Sequence, residues 1–230
     1  MVKNTLKNTT LILLTLNEIE GLTALLPRIP LKDAGEVLLM DGGSTDGTVE
    51  FAKKHNIRVI SQKGKGRGDA FREGCANATK DVLVFFSPDG NEEPEDIQKL
   101  VNKINDGYDM VIATRFSKEG KSDDATPLRR FGNSMFTLLI NLFFGVRVTD
   151  AVNGFRAIRR PVMNALKTTA HHFEIEIQMT MRCAKKKYRI AEIPTYEHDR
   201  IGGYSKVNSF KEGLRFIKVI LKERFMSSTK

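Results

Sequence analysis

The sequence has little cysteine and no long apolar run, and each absence excludes a class of protein. Cys75 and Cys183 are the only cysteines, so they cannot form a zinc site unaided, and we expect two buried, reduced thiols in a cytosolic protein. The most apolar segment, residues 131–146, has roughly 16 residues, fewer than the ~20 that a bilayer-spanning helix needs. The N-terminus lacks the apolar core and cleavage site of a signal peptide, so we expect no secretion.

Two common signatures for binding nucleotides and nucleic acids are also missing. Lys65 lies between Gly64 and Gly66, but no Ser or Thr follows it at the spacing of a phosphate-binding P-loop. The net charge is +9 and the pI about 9.5, which indicates an anionic partner. No module of stacked aromatic residues is visible, so we expect that partner not to be a nucleic acid.

The 230 residues are enough for one large α/β domain or two small ones. The 40% hydrophobic and 28% charged side chains are ordinary for a soluble globular protein. Apolar runs alternate with helical patterns from residue 10 to residue 114, which predicts a mostly parallel sheet flanked by helices. The predicted strands are residues 10–16, 36–41, 57–61, 81–86 and 109–114.

The second half has a different pattern. Residues 117–126 are charged and lack periodicity, so we expect a mobile loop there. Helices are predicted over 131–144 and 173–186, and strands over 154–159 and 189–194. Residues 210–225 form a basic amphipathic pattern, and residues 206–230 contain seven Lys or Arg against two Glu. We therefore predict a single domain over 1–208 and a C-terminal helical extension over 209–230.

The stretch 36–48 is the clearest candidate for a ligand site. An apolar run ends at Asp41, two glycines follow, and a helical pattern begins after Asp46 and Gly47. An acid at the end of a buried strand, followed by a glycine-rich turn into a helix, is typical of ligand crevices in open α/β sheets. Asp46 is placed to cap the new helix.

Polar side chains follow three of the predicted strands. They are Asn17 with Glu18, Asp41, and Asp89 with Asn91. Because the carboxyl ends of parallel strands share one edge of a sheet, we expect these side chains to meet around one ligand. Carboxylate and amide oxygens can bind a ribose diol or a base edge, and Asp89 with Asn91 offers oxygens for Mg²⁺ or Mn²⁺.

The chain resembles family 2 glycosyltransferases with the GT-A nucleotide-diphospho-sugar fold. In the first half, the resemblance lies in residues 15–18, 40–48 and 64–66, in Ala70 and Gly74, and in the strand ending at Asp89. In the second half, the chain is similar to dolichyl-phosphate mannose or glucose synthases. The matching stretches are residues 114–116, 129–130, 150–156, 173–176 and 200–206.

By position, the resemblance implies a nucleotide site formed by Asn17, Glu18, Asp41 and Lys65. It also implies that Asp89 and Asn91 coordinate a Mg²⁺ or Mn²⁺ ion on the donor diphosphate. One position departs from the family pattern, because Ser87 stands where an aspartate is usual. We expect metal binding with less charge from the protein.

The resemblance further implies a cationic pocket for the acceptor phosphate and the donor diphosphate. Its members would be Arg115, Arg129 or Arg130, Arg200 and Lys206. Asp89, Arg115 and Arg200 are the candidate catalytic residues.

The implied function is a metal-dependent, inverting transfer of mannose or glucose from a GDP- or UDP-linked donor to a polyprenyl phosphate such as dolichyl phosphate. A phosphate acceptor is already anionic and needs no general base. We expect a peripheral protein at the cytoplasmic face of a membrane. Two alternatives remain. One is a soluble or glycan hydroxyl acceptor with Glu174 or Glu176 as base, and the other is a non-catalytic nucleotide-sugar-binding module, favoured by Ser87 and Pro88.

Overall fold

A computed structural model describes residues 5–202 and 209–225 of the chain. The central sheet contains β1 (Thr9–Thr15), β2 (Glu36–Asp41), β3 (Arg58–Ser61), β4 (Val82–Phe86), β5 (Met110–Thr114), β7 (Arg156–Arg159) and β8 (Ile190–Pro194). A small second sheet pairs β6 (Lys121–Ser122) with β9 (Tyr196–Glu197). The order in the central sheet is β3-β2-β1-β4-β7-β5-β8.

The predicted parallel sheet over residues 10–114 is confirmed, with one insertion. Strand β7 lies between β4 and β5 and runs antiparallel to both, whereas the other neighbouring pairs of the central sheet are parallel. Because sequence periodicity reports burial and not direction, it could not distinguish β7 from a parallel strand. The carboxyl ends of the parallel strands therefore share one edge, as the candidate site requires.

The helices are α1 (Ile19–Leu25), α2 (Thr48–Lys54), α3 (Arg67–Asn77), α4 (Asp96–Asn105), α5 (Pro127–Phe144), α6 (Arg160–Leu166), α7 (Glu174–Lys185) and α8 (Ser209–Phe225), with a 3₁₀ turn at Thr5–Asn8. Helix α5 begins four residues before its predicted start at 131, because Thr126 accepts a hydrogen bond from the Arg129 N–H and Pro127 occupies the first turn. None of the helices in the described ranges is both long and apolar enough to cross a membrane.

The prediction of a mobile loop over 117–126 is wrong at its centre. The Lys121 N–H donates to the Thr195 carbonyl at 3.0 Å, and the Asp123 N–H donates to the Glu197 carbonyl at 2.9 Å. These bonds form the β6–β9 pair. A two-residue strand has no periodicity to detect, so its partner 75 residues away could not be found from the sequence.

Apolar side chains cover the sheet on both faces, as expected for a largely parallel sheet. On one face Phe85 stacks on Phe71 of α3 with ring centroids 4.0 Å apart, and on the other Phe86 meets Phe155 edge to face at 5.4 Å. The two cysteines are free and buried in this core, as predicted, and burial raises the pKa of the Cys75 thiol to about 11.

Helix α8 packs against α5 and α7. Phe216 of α8 meets Phe136 of α5 edge to face, with ring centroids 5.2 Å apart. Glu223 is buried and forms an ion pair with Arg182 of α7 at 2.6 Å. The helix that the sequence sets apart as an extension thus lies beside the sheet edge where the candidate site is found.

Candidate functional site

A cavity of about 720 Å³ opens at the carboxyl ends of the parallel strands, between the sheet and helices α5, α7 and α8. Six predicted site residues line it: Glu18, Asp89, Asn91, Arg115, Arg129 and Arg200. Four others lie outside its lining: Asn17, Asp41, Lys65 and Arg130. Lys206 is outside the described residues.

Asn17 and Asp41 shape the loops next to the cavity. Asn17 has a positive φ of 57°, and its side-chain oxygen accepts the Thr45 N–H at 2.8 Å. The buried carboxylate of Asp41 accepts the N–H groups of Gly43 and Ser44, at 2.9 and 3.1 Å. Asn17 and Asp41, which we expected to bind a nucleoside, thus form hydrogen bonds within the loops next to the cavity.

Asp46 holds the same pair of loops together. Its Oδ1 accepts the Thr48 N–H at 3.0 Å, and its Oδ2 accepts the Ile19 N–H at 3.0 Å. The N-cap of α2 is Gly47, in the left-handed region at φ 97°. Asp46 therefore caps α2 from one residue before the N-cap, and at the same time ties the start of α1 to it.

Arg200 joins two of the strand ends that the sequence predicts to converge. Its Nη1 donates to Asp89 Oδ2 at 2.7 Å, and its Nη2 donates to Glu18. The Nε is buried and has no hydrogen-bond partner among residues 5–202 and 209–225. Burial raises the pKa of Asp89, and the adjacent Arg200 charge opposes that shift. The structure thus brings Glu18 and Asp89 to one guanidinium, while the Asp41 carboxylate turns into its own loop.

Asp89 and Asn91 fit a divalent cation that is shared with a substrate. The Asn91 N–H donates to Asp89 Oδ1 at 3.1 Å, and its side-chain amide donates to the His198 carbonyl at 2.6 Å. This bond orients the Asn91 Oδ1 away from His198. Within residues 5–202 and 209–225, no three His, Cys, Asp or Glu side chains are grouped to hold a metal alone. Mg²⁺ and Mn²⁺ suit such a site, because they bind one or two carboxylates plus substrate phosphates.

A second cluster, which the sequence analysis missed in part, lies beside Asp89. Arg67 Nε donates to Glu176 Oε1 at 2.7 Å, and its Nη1 donates to Ser87 Oγ at 3.0 Å. The Ser87 N–H donates to Glu92 Oε2 at 2.7 Å. Burial raises the pKa of Glu92 to about 8 and also raises that of Glu176. Arg67 is the first residue of α3 and directly follows the glycine-rich stretch 64–66 that includes Lys65, so this stretch was the available signal.

Arg115, predicted as a cation for the acceptor phosphate, is bound by two carboxylates. Its Nε and Nη2 donate to the two oxygens of Asp150 at 2.7 and 3.1 Å, and its Nη1 donates to Glu197 at 2.8 Å. Burial lowers the pKa of Arg115, but the Asp150 and Glu197 charges raise it further than burial lowers it. Arg115 lines the cavity with its charge already balanced.

Arg129 and Arg130, although adjacent in sequence, lie in different positions relative to the cavity. Arg129 lines the cavity and donates to Asp124 at 2.9 Å. Arg130 turns away from the cavity, and its guanidinium donates to the carbonyls of Ala125 and Ser122. Of the two candidates, Arg129 is the one placed to meet a ligand.

The charged part of the lining is rich in acids. In the described part of the chain it contains Glu18, Asp89, Glu92, Asp124, Glu176, Glu197 and Glu212, against Arg67, Arg115, Arg129 and Arg200. Six of these seven acids pair with an arginine, so carboxylates and guanidinium groups lie side by side here. This part of the cavity therefore suits a divalent ion together with an anionic ligand.

The opposite part of the lining is apolar and comes from α5 and α8. Its largest exposed side chains are Leu128, Phe131, Phe210, Leu214 and Ile217, which are 72%, 68%, 79%, 55% and 42% exposed. Contiguous exposed apolar side chains of this kind mark binding or membrane surfaces. One cavity thus has a charged floor and an apolar entrance.

The fold is that of the GT-A glycosyltransferases. A solved structure of glucosyl-3-phosphoglycerate synthase from Mycobacterium tuberculosis, in complex with Mn²⁺, uridine-diphosphate and glucosyl-3-phosphoglycerate, superposes with a TM-score of 0.75. The superposition covers 96% of this chain and 81% of that one, at 21% identity. Residues 10–166 match the model of glycosyl transferase family 2, and the chain belongs to this family.

Three relatives are similar in sequence over more than four-fifths of this chain. The dolichyl-phosphate hexose transferase of Haloferax volcanii is 31% identical, over 97% of this chain and 99% of that protein. Glycosyltransferase AglJ of the same organism is 31% identical over 82% of this chain, which spans 62% of its length. The undecaprenyl-phosphate mannosyltransferase of Micrococcus luteus is 30% identical, over 84% of this chain and 85% of that protein.

Proposed function

We propose that this protein is a metal-dependent, inverting hexosyltransferase that moves mannose or glucose from a nucleotide-diphosphate sugar to a polyprenyl phosphate. The observation that carries the proposal is the division of one cavity into a charged floor and an apolar entrance. A lipid phosphate has a charged end and an apolar chain, so both parts of the cavity have a complementary part of the acceptor. The names of two relatives, a dolichyl-phosphate hexose transferase and an undecaprenyl-phosphate mannosyltransferase, support this acceptor class.

The donor diphosphate would lie at the strand ends, where Asp89 and Asn91 would hold Mg²⁺ or Mn²⁺. When bound, the metal would stabilise the negative charge of the departing nucleoside diphosphate. Arg200 now donates to Asp89 and Glu18. Donor binding would therefore replace the Arg200–Asp89 ion pair, and the released guanidinium would meet the phosphate oxygens.

The acceptor phosphate would lie between the charged floor and the apolar entrance. Arg129 stands in the first turn of α5, next to the exposed Leu128, and a helix N-terminus favours an anion. The phosphate is anionic at neutral pH, so no side chain has to remove its proton. In-line attack on an α-linked donor would invert the anomeric carbon and give a β-linked lipid phosphate.

The apolar entrance would also bind the protein to a membrane surface. Phe210, Leu214 and Ile217 are exposed along α8, and the same helix carries the exposed cations Lys211, Lys218 and Lys222. Each basic residue near an anionic bilayer contributes about 1 kcal/mol. We therefore propose a peripheral protein at the cytoplasmic face of a membrane.

A hydroxyl acceptor is a second candidate, because the cavity contains a possible general base. Glu176 lines the cavity, and burial raises the pKa of its carboxyl, which is the direction that favours proton transfer near neutral pH. Glu174, the other predicted base, does not line the cavity; its Oε1 accepts the His171 N–H at 3.3 Å.

The acceptor is identified by following labelled sugar. The protein is incubated with labelled GDP-mannose or UDP-glucose, Mn²⁺ and vesicles that contain polyprenyl phosphate, and the products are separated by solvent extraction. We expect label in an acid-labile lipid, and no product with Asp89→Asn, which should still fold. Label that moves only into water-soluble glycan would support the hydroxyl acceptor, and donor binding without turnover would support a binding module.

A further inference from the structure

Arg67 is a largely buried cation in the cavity lining, and neither the motifs nor the proposed mechanism assigns it a role. It is the first residue of α3, an 11-residue helix. Its guanidinium lies 5.5 Å from the Phe71 ring centroid and 5.7 Å from that of Phe173. The Nε is held by Glu176 and the Nη1 by Ser87. These contacts together favour one orientation of the guanidinium.

The remaining nitrogen of Arg67 is left for a ligand. Its Nη2 forms no hydrogen bond with any described residue, and Arg67 lines the cavity. Gly154 provides the space for this group, because a Cβ at residue 154 would overlap both the Arg67 guanidinium and the Glu176 carboxylate. The absence of a side chain at Gly154 thus leaves room for the Arg67 guanidinium and the Glu176 carboxylate.

The surroundings of Arg67 differ from those of Arg115 and Arg200, two other arginines in the lining. Arg115 donates to Asp150 and Glu197, and Arg200 donates to Glu18 and Asp89. In the part of the chain that the structure describes, Arg67 has one carboxylate partner, Glu176, and its second partner is the neutral Ser87 hydroxyl. Its charge is therefore less fully balanced by direct contacts than theirs.

We infer that Arg67 binds the donor diphosphate directly, through Nη2 and the free hydrogen of Nη1. This inference rests on the proposed function. Ser87, which Arg67 contacts, is two residues from Asp89 on the same strand end, so the cation and the proposed metal ligand face the same small region. Guanidinium groups are well suited to phosphate oxygens, because they donate two parallel hydrogen bonds. Glu176, Phe71 and Phe173 hold the guanidinium in position.

Nucleotide binding tests this role. The affinities of UDP and GDP are measured by calorimetry, with Mn²⁺ and separately with EDTA, for the wild type, Arg67→Met and Arg67→Lys. Arg72→Met is the matched control, because Arg72 lies on the same helix and pairs with Asp69 but does not line the cavity. Thermal unfolding of each variant is recorded in parallel.

We expect Arg67→Met to raise the Kd of the bound nucleotide roughly tenfold or more, Arg67→Lys to lose less, and Arg72→Met to bind as the wild type does. A direct contact predicts a similar ratio in Mn²⁺ and in EDTA. An unchanged Kd in Arg67→Met, with only a lower melting temperature, would overturn the inference and leave Arg67 a structural partner of Glu176. So would weaker binding of polyprenyl phosphate alone, which would place Arg67 on the acceptor.

A second variant keeps the test decisive if Arg67→Met does not fold. Gly154→Ala retains the arginine but crowds its guanidinium, and we expect weaker nucleotide binding from it as well. Normal binding by Gly154→Ala would contradict the inference. Absence of any nucleotide binding by the wild type would instead remove the proposed function, and this inference with it.

Discussion

The charged floor of the cavity, at the strand ends, and its apolar entrance, formed by α5 and α8, differ in whether their side chains have partners within the protein. We call them the strand-end wall and the helical wall. On the strand-end wall, Arg67 and Arg200 are largely buried and each has an acidic partner. On the helical wall, Phe131 and Phe210 are more than two-thirds exposed. The first wall carries counter-charges within the protein, and the second leaves large apolar side chains exposed.

The physical cost explains this difference. A buried charge without a partner costs several kcal/mol, so the strand-end wall has to carry its counter-charges within the protein. Exposed apolar side chains cost less each, and they become favourable when a lipid or a membrane covers them. A wall of each kind in one cavity matches the charged end and the apolar chain of the lipid phosphate that we propose as acceptor.

The largest expected effect comes from detaching the helical wall. Glu223 is 2% exposed and is held by Arg182, Gln178 and Lys185 of α7. Glu223→Ala leaves Arg182 without its buried partner, so we expect the free energy of unfolding to fall by about 3 kcal/mol. Urea denaturation measures this, with the exposed Lys222→Ala as a control that should change by less than about 0.5 kcal/mol.

The same ion pair has a defined pH dependence. Burial raises the pKa of Glu223, but the hydrogen bonds from Arg182 and Gln178 lower it more, so the net shift is downward. A group whose pKa is lower in the folded protein stabilises it above the ordinary pKa and loses this effect as the pH falls. The difference between wild type and Glu223→Ala should therefore shrink in acid; a constant difference would contradict the assignment.

An intermediate effect is expected on the strand-end wall. The pKa of Glu92 is raised by burial to about 8, so the folded protein retains a proton that the unfolded chain releases near its ordinary value. This lowers stability as the pH rises from about 4.5 to about 8. Relative to wild type, the free energy of unfolding of Glu92→Gln should rise by up to about 3 kcal/mol between pH 5 and pH 8, at about 1.4 kcal/mol per pH unit.

Urea denaturation at several pH values, with a chelator present, checks the Glu92 prediction. Glu95→Gln is a suitable control, because the Arg28 hydrogen bond is the main cause that lowers its pKa, to about 2. Its effect should be confined to acid solution. Parallel stability curves for Glu92→Gln and wild type would mean that the Glu92 carboxyl ionises normally.

The smallest expected effect concerns lipid binding by the helical wall. Phe210 is 79% exposed, and Phe210→Ser removes apolar area that we propose to contact lipid. We expect about tenfold weaker binding to anionic vesicles that contain polyprenyl phosphate, which corresponds to about 1.4 kcal/mol. Nucleotide affinity is the internal control and should not change. Equal vesicle binding by both proteins would place the lipid contact elsewhere.

The sequence predicted the local elements well because their causes are local. The buried run that ends at Asp41 and the glycines after it identified a strand and its turn, and the strand that ends before Asp89 was equally clear. The small strands β6 and β9 escaped prediction because each has two residues. The antiparallel direction of β7 depends on its neighbours β4 and β5, which lie far away in sequence.

By itself, the sequence determined the family and the alternation of strands and helices, since hydrophobic periodicity and glycine-rich turns act over a few residues. Only the tertiary structure decided which side chains face the cavity. Arg67 meets Glu176 across 109 residues, and Arg200 meets Asp89 across 111. The physical reason is that buried charges must find partners in space, so the roles of Arg67, Arg115 and Arg200 depend on contacts that no local pattern records.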